Sequence, residues 1–325
     1  MGSVDMSVRP AAPGAAAAPG AAPPGGTPDA HRRRPAAVLR PHIVNYTGFR
    51  TEFTAPRRRL ELPTGYVTLV FPFGEGLWVS RDGEEPRAPL RPSAGALISG
   101  PRTGWAIGVH AGAVHGLEVN MSPLGAYRLF GVPVTHFGEA PLDPAEVLGP
   151  AGRFLAERLR ALGSWSERFD LLDAVFTARL ERGPAAAPEV RGALARLWAD
   201  SGSLALAAAG TGWSARTLRA RFREQVGLSP KGVARVFRLQ HALRLLAAGV
   251  APARVAAACG YHDQAHFGRD VKALTGLSPS RIAALRGGLP PGSALDRVPG
   301  RITSLLLPDE GAPEQPVRTG RACRF

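Results

Sequence analysis

The sequence of 325 residues has few cysteines, few lysines and no long apolar run, and each shortage excludes a class of protein. The two cysteines, Cys259 and Cys323, fit neither a disulfide framework nor a zinc site. We therefore expect a reducing, cytoplasmic location. No stretch reaches the roughly 18 apolar residues of a membrane-spanning helix, so we expect no contact with a membrane. The Ala-, Pro- and Gly-rich start, which runs to Arg32–Arg34, is typical neither of a signal peptide nor of a twin-arginine export signal.

The patterns of common catalytic sites are missing as well. The sequence has no nucleophile elbow with an ordered His and Asp, no glycine-rich phosphate loop and no HExxH motif. Three residues are of metal-binding type: His110, His115 and Glu118. His115 is five positions after His110 and Glu118 is three positions further, whereas only residues of even separation share a face of a strand, so no continuous strand brings all three together. We therefore expect no enzymatic activity, no cofactor and no metal site.

Positive charge is concentrated in one part of the chain. The whole sequence has a net charge of +14, and residues 201–286 contain 13 basic against three acidic residues. Almost all basic residues are arginines, since Lys231 and Lys272 are the only lysines. The high content of Ala, Pro and Arg is typical of a GC-rich coding genome, so part of the arginine excess is compositional. The local scarcity of acidic residues still favours phosphate binding.

Composition and periodicity divide the chain into five parts. Both ends are rich in Pro and Gly without apolar periodicity, which predicts disorder. The parts are a tail at 1–38, a β-rich domain at 39–182, a linker with a lead-in helix at 183–200, a basic helical domain at 201–286 and a second tail at 287–325.

The domain at 39–182 combines short strands with helices. Runs of β-branched and aromatic residues end at Pro or Gly, which predicts a small β-barrel or sandwich. The predicted strands are Tyr66–Phe73, Leu77–Ser80, Ala94–Ser99, Trp105–His110 and Gly116–Met121. The predicted helices are Pro123–Phe130, Ala151–Leu162, Glu167–Leu180 and Pro188–Asp200. Aromatics such as Tyr66, Trp78 and Trp105 can line an effector pocket, but core packing is their commoner use, and the sequence assigns no effector site.

A repeated tetrapeptide indicates how residues 201–286 are organised. Gly227-Leu228-Ser229-Pro230 returns after 49 residues as Gly276-Leu277-Ser278-Pro279, and a short helix with basic residues precedes each copy. A repeat of this length indicates a duplicated unit that is too short for a domain and has the size of a DNA-reading helix-turn-helix module.

The first unit predicts a helix with a basic exposed face. Small apolar residues from Leu204 and the glycines at 210 and 212 predict a first helix and a tight turn, and Ser214 is a typical N-cap. Leu218 and Phe222 are four positions apart and therefore share a buried face. The opposite face is basic and consists of Arg216, Arg219 and Arg223.

The second unit adds residues that suit base reading. Val255–Tyr261 predicts a helix of small residues, a glycine turn and an aromatic plug, and Asp263 caps the helix that follows. Phe267 and Val271 form its buried pair. The exposed N-terminal face is then Gln264, Ala265, Gly268 and Arg269. Gln pairs with adenine, Arg pairs with guanine and Ala contacts a thymine methyl, while small residues allow a close approach.

The run CGYHDQAHFGRDVK from Cys259 to Lys272, followed by Gly-Leu-Ser-Pro, resembles the signature of the AraC/XylS family of bacterial transcription regulators. The resemblance covers roughly Ser201–Arg286. It implies an α+β protein in which a β-rich sensory and dimerisation domain precedes two helix-turn-helix units, joined by a linker helix at Pro230–Ala247. Gly268, inside a helix, departs from the family pattern and costs about 1 kcal/mol relative to Ala.

The resemblance also implies which residues meet double-stranded DNA. By position, the recognition helices are Ala215–Gln225 and Gln264–Leu274, which enter adjacent major grooves. The residues assigned to base reading are Arg216, Arg219, Gln264, Ala265, Gly268 and Arg269. The residues assigned to phosphate contact are Ser214, Arg223, Lys231, Arg235, Arg238 and Lys272.

The function implied is a sequence-specific DNA-binding transcription regulator whose N-terminal domain modulates its activity. Its implied partners are a small-molecule effector, a second copy in a homodimer and, for an activator, RNA polymerase. The sequence does not decide between activation and repression. Two alternatives are an enzyme delivered to DNA and a packaging protein that binds by charge alone. The first lacks a catalytic constellation, and the second would place Lys or Arg where Gln264, Ala265 and Gly268 stand.

Overall fold

The computed structural model describes residues 29–74, 77–81, 96–137, 145–200, 212–287, 289 and 296–308. Its strands form one antiparallel sheet in the order β1-β2-β6-β3-β5, with β4 paired to β6 and β7 paired to β2. The strands are β1 (Asp29–Arg33), β2 (Ile43–Glu61), β3 (Val67–Pro72), β4 (Leu77–Arg81), β5 (Leu97–Ser99), β6 (Ala106–Met121) and β7 (Ser304–Leu306).

Two strands differ from what the sequence predicts. The strands predicted at Trp105–His110 and Gly116–Met121 are the two ends of β6, which runs without interruption and pairs along most of β2. The 19-residue strand β2 was not predicted, because its second half is polar and carries several charged residues. Pairing with β6 supplies the hydrogen bonds that a sequence pattern does not show.

The helices of the described residues are α1 (Pro123–Phe130), α2 (Ala145–Leu148), α3 (Pro150–Ala161), α4 (Trp165–Arg182), α5 (Pro188–Asp200), α6 (Ala215–Val226), α7 (Pro230–Ala247), α8 (Pro252–Ala258), α9 (Gln264–Thr275) and α10 (Pro279–Arg286). The predicted helices lie close to their predicted bounds, whereas α2 and α10 were not predicted. The α+β architecture, a β-rich N-terminal region followed by a helical C-terminal domain, is confirmed.

The repeated tetrapeptide has the same local role in both copies. Gly227 and Gly276 end α6 and α9 in the left-handed region, at φ of 83° and 74°. Ser229 and Ser278 then cap α7 and α10, and a proline occupies the first turn of each new helix. A left-handed residue favours glycine, and proline fits the first turn because its missing N–H has no partner there.

The two faces of the sheet differ in chemistry. One face carries apolar side chains such as Tyr46, Leu69 and Val119, and these pack in one cluster with α1, α3 and α4. The other face carries buried polar side chains at alternating positions, among them Asn45 and Glu118. The alternation follows from the two-residue period of a strand.

Part of each predicted tail belongs to the fold. Within the tail predicted at 1–38, residues from Asp29 onward join the fold, because β1 pairs with β2 and Arg33 forms ion pairs with Asp170 and Asp173 at 2.6 Å each. Within the tail predicted at 287–325, residues 296–308 return to the sheet through β7. The prediction of tails at these residues was wrong. We call Asp296–Leu307 the C-terminal strap.

The strap contains buried side chains, which its composition does not predict. Val298, Ile302 and Leu305 are buried, and Asp296 forms an ion pair with Arg286 at 2.5 Å in which both side chains are at most 1% exposed. Burial of a charge is costly unless it is paired, so this pair holds the start of the strap against the end of α10.

The helix-turn-helix region packs directly on the sheet. One apolar cluster contains Leu60 and Ile107 of the sheet together with Leu239 of α7 and Phe267 of α9. Gln240 of α7 is fully buried, donates to the carbonyl oxygens of Pro63 and Ile302 at 2.8 and 3.0 Å, and accepts from the Ile302 N–H at 3.2 Å. The sheet, the linker helix and the strap are therefore held together by shared contacts.

Candidate nucleic-acid interface

Helix α6 presents a basic face to solvent. Ser214 caps its start by accepting a hydrogen bond from the Thr217 N–H at 3.1 Å, and Leu218 and Phe222 are buried below it. Its exposed arginines are Arg216, Arg219, Arg221 and Arg223. The predicted buried pair and the predicted basic face are therefore both found. The helix predicted to precede it, from Leu204, lies outside the described residues.

Helix α9 presents a smaller and less charged surface. The Asp263 carboxylate caps its start by accepting from the His266 N–H at 2.6 Å, while Phe267 and Val271 are buried. Gln264, Ala265 and Arg269 are exposed at the N-terminal half. Gly268 is half-buried, and a Cβ built there meets no described atom within 4 Å, so the surface beside it is open to a close approach.

The linker helix α7 separates the two units. Its 18 residues correspond to a length of about 27 Å at 1.5 Å per residue. Val233 is buried in one apolar cluster with Leu218 and Phe222 of the first unit. Leu239 and Leu243 are buried in another with the second unit, so the helix is fixed against both. The two exposed helices are thus joined by a rigid spacer of somewhat less than one turn of B-DNA.

Two of the predicted phosphate contacts have structural partners in the protein. The Arg235 guanidinium donates to Oδ1 of Asp270 through Nε at 2.9 Å and through Nη2 at 2.5 Å. The Arg238 guanidinium lies 5.2 Å from the centre of the Tyr261 ring, and the Tyr261 hydroxyl donates to Oδ2 of Asp270 at 3.1 Å. Burial, followed by the Asp270 charge, raises the pKa of Tyr261, so the hydroxyl stays a donor.

Comparisons with known proteins agree with this geometry. The model of a helix-turn-helix domain family matches residues 207–284. A probable AraC family transcriptional regulator from Rhodopseudomonas palustris CGA009 is 30% identical, over 30% of this chain and 96% of that chain, with a TM-score of 0.28. The chain belongs to the AraC/XylS family. It is therefore a DNA-binding transcription regulator with a helix-turn-helix domain.

Other similar structures are of ToxT from Vibrio cholerae. One is 8% identical over 74% of this AraC/XylS-family chain and 97% of that chain, with a TM-score of 0.42. Another, of ToxT bound to an unsaturated fatty acid, is 8% identical over 79% of this chain and 99% of that chain, with a TM-score of 0.40. A search of curated proteins found no match.

His110, His115 and Glu118 lie in separate surroundings in this AraC/XylS-family protein. His110 faces Phe53, His115 contacts Phe73 and Trp165, and Glu118 lies in the polar face of the sheet. No group of three metal-binding side chains occurs among the described residues. In the same ranges, no helix is both long and apolar enough to cross a membrane.

Sequence reasoning missed Asp270 as an organising residue. Asp270 binds Arg235 on the linker helix and Tyr261 before α9. A signal was present: Asp270 is one of only three acidic residues in 201–286. An isolated carboxylate in a basic segment is a candidate for an internal ion pair.

Proposed function

We propose that this regulator reads specific DNA sequences by inserting α6 and α9 into adjacent major grooves. The observation that carries the proposal is that each helix buries its apolar face and exposes the side chains that have base-reading chemistry. Major grooves on one side of B-DNA recur about every 34 Å. The linker helix is about 27 Å long, and together with the width of the two helix-turn-helix units this length is compatible with that spacing.

We assign base reading to Arg216, Arg219, Gln264, Ala265, Gly268 and Arg269. Five of these residues are exposed, which supports the assignment. The sixth, Gly268, is half-buried, and it supports the assignment because the space beside it is open to the DNA. Phosphate contact suits the exposed cations Lys231, Lys272 and Arg223. It also suits Ser214, which is exposed at the start of α6, where backbone N–H groups favour an anion.

Arg235 and Arg238 take a different role in the proposal. Because Asp270 and Tyr261 already engage them, their main effect is to hold α9 against the linker helix. Any contact of these arginines with phosphate is secondary to that positioning.

We propose further that the N-terminal domain modulates DNA binding through the loop from Gly100 to Trp105, which we call the bridging loop. A Cβ built at Gly227 lies 2.8 Å from Val134 and 3.3 Å from Pro101, and one built at Gly276 lies 2.9 Å from Trp105. One loop thus packs on the ends of both recognition helices. A change of the loop would alter both helices together.

Partners other than DNA follow from the family. We propose that a small-molecule effector acts on the N-terminal domain, that two copies associate through it, and that an activating form contacts RNA polymerase. The bridging loop supports the first of these, since it connects the sheet to both DNA-reading units.

Selection of bound sequences from a randomised DNA pool by the full-length protein tests the proposal. We expect a motif of two short blocks about 10 base pairs apart. If no motif is recovered and binding disappears uniformly as salt rises, the protein binds by charge alone and the base-reading assignment is wrong.

A further inference from the structure

The polar face of the sheet holds a dense group of buried hydrogen-bonding side chains. Asn45 and Thr47 on β2 lie beside Asn120 and Glu118 on β6, in the pairing register of the two strands. Glu61, near the other end of β2, is also buried. Burial of a polar group costs free energy unless the group has a hydrogen-bond partner. Packing of a sheet does not require such a group.

One side chain of the C-terminal strap enters this group. The Arg297 guanidinium forms an ion pair with Glu61 through Nη2 and with Glu118 through Nη1, the latter at 3.2 Å. The amides of Asn45 and Asn120 donate to the Arg297 carbonyl oxygen at 3.0 and 3.4 Å. Two carboxylates thus hold the guanidinium and two amides hold the backbone carbonyl oxygen of the same residue, and we call these four side chains the cation site.

The site has features of a binding site beyond its charge. Oδ1 of Asn45 accepts no hydrogen bond among the described residues, although Asn45 is only 4% exposed. An unpartnered buried acceptor inside the site offers a place for a further N–H donor. The Arg297 side chain is 30% exposed, so part of it reaches solvent, while Glu61 and Glu118 are buried.

Burial shifts both partners away from their charged forms. Burial raises the pKa of Glu118 to about 7, and burial lowers the pKa of Arg297 to about 9, with the charge of Arg59 adding to the latter shift. Each charge in the site therefore depends on a matching charge close by. Arg59, whose Nε lies 3.7 Å from Oε1 of Glu61, is a second cation beside these carboxylates.

We infer that the cation site binds a small organic cation with several N–H donors, of the guanidinium or amidinium class, and that Arg297 occupies it as an internal ligand. A planar guanidinium matches the two carboxylates in the way that Arg297 does. A free cation that takes this place displaces Arg297 and, with it, the strap.

Displacement of the strap reaches the second helix-turn-helix unit. Asp296, next to Arg297, pairs with Arg286 at the end of α10, and Ile302 bonds to Gln240 of the linker helix. Ile302 and Leu305 share an apolar cluster with Phe267 and Val271 of α9. Cation binding would therefore loosen the support of α9, a consequence that rests on the proposed function, whereas the binding step does not.

Chemical rescue of the full-length Arg297→Ala variant tests the binding step, with methylguanidinium at low millimolar concentration as the probe. We expect methylguanidinium to raise the melting temperature of this variant by about 2–4 °C, because it refills the site. Tetramethylammonium, which has the same charge and no N–H donor, is the control cation. Arg281→Ala, which removes an exposed arginine of α10, is the control variant and should show no rescue.

Two results would overturn the site. One is an equal response of the Arg297→Ala and Arg281→Ala variants to methylguanidinium. The other is rescue that persists in the double variant Arg297→Ala/Glu118→Gln, since the site would then not need its carboxylate.

A second measurement uses the wild-type protein, in case the Arg297→Ala variant does not fold. Methylguanidinium should speed cleavage of the strap by a protease that has no preference for arginine, and tetramethylammonium should not; equal rates with both cations contradict displacement. DNA binding is measured in parallel. Rescue and cleavage without a change in DNA affinity would overturn the link to α9 while leaving the site intact. If the wild-type protein shows no preference for a DNA sequence even without an added cation, that result counts against the proposed function and not against the cation site.

Discussion

The two helix-turn-helix units share a frame and differ in their surfaces. Each recognition helix starts at a side-chain cap, Ser214 or Asp263, and ends at a left-handed glycine before the repeated Leu-Ser-Pro. The first presents a row of exposed arginines, whereas the second presents Gln, Ala and Gly beside a single arginine at its N-terminal half. The two units therefore share the residues that begin and end the helix, and they differ in the side chains that the helix exposes.

The units also differ in how the recognition helix is held. Asp270 fixes α9 to the linker helix through Arg235, at 2.5 Å, in a partly buried pair. The acidic residue of α6, Glu224, pairs with Arg221 on the same exposed surface at 2.9 Å. Internal polar contacts therefore orient α9 against the linker helix, whereas the ion pair of Glu224 lies within α6 itself.

The largest effect is expected from breaking this internal contact. Asp270→Ala should lower the free energy of unfolding by about 3 kcal/mol, because it leaves the Arg235 guanidinium partly buried without its carboxylate and removes the acceptor of the Tyr261 hydroxyl. Glu224→Ala is the matched control and should cost less than about 0.5 kcal/mol. Urea unfolding monitored by circular dichroism measures both. Equal costs would mean that the two helices are held alike.

The next effect concerns DNA recognition by the two surfaces. Arg269→Ala should weaken binding to the selected site by about 1–3 kcal/mol and relax the preference at one base position. Arg223→Ala should weaken binding to selected and random DNA alike and reduce the salt dependence by about one ion. Fluorescence anisotropy at several salt concentrations distinguishes the two. If Arg269→Ala weakens both DNAs equally, Arg269 contacts phosphate and the contrast between the units is lost.

A third prediction concerns the glycine that ends α9. Gly276→Ala should cost about 2 kcal/mol, since alanine is strained at φ of 74° and its Cβ would lie 2.9 Å from Trp105 of the bridging loop. Gly260→Ala has the same kind of φ, 68°, but its Cβ would meet no described atom within 4 Å, so it should cost only about 1 kcal/mol. Thermal unfolding of both variants isolates the contribution of Trp105. Identical losses would mean that the loop yields without cost.

Much of the helical domain could be predicted because its signals are local. Caps and apolar positions four apart act within one helix, and they predicted the caps Ser214 and Asp263 and the buried pairs that follow them, as observed. The strand β2 and the strap could not be predicted in this way. Their residues are polar or sparse in apolar groups, and they are ordered by partners far along the chain, as Arg297 is by Glu61 and Glu118. Long-range pairing leaves little pattern in the local sequence.

The candidate site divides along the same line. The exposed faces of α6 and α9 follow from helical periodicity, and the structure has them where the pattern predicts. The roles of Arg235 and Arg238 did not follow, because exposure was inferred from charge alone, and their partners Asp270 and Tyr261 lie on other elements. Which bases the exposed residues read stays a prediction.

The smallest predicted effect uses the different chemistry of the two caps. The hydrogen bond from the His266 N–H, followed by that from His262, lowers the pKa of Asp263 below its ordinary value of 3.8. Because the pKa is lower in the folded state, the stabilisation is present above 3.8 and is lost as the pH falls through the folded pKa. Ser214 does not titrate, so acid should fray the start of α9 and leave the start of α6 unchanged. Amide hydrogen exchange along both helices measures this, and Asp263→Ser should abolish the difference. Equal acid fraying of both helices in the wild-type protein would show that the caps are not what distinguishes them.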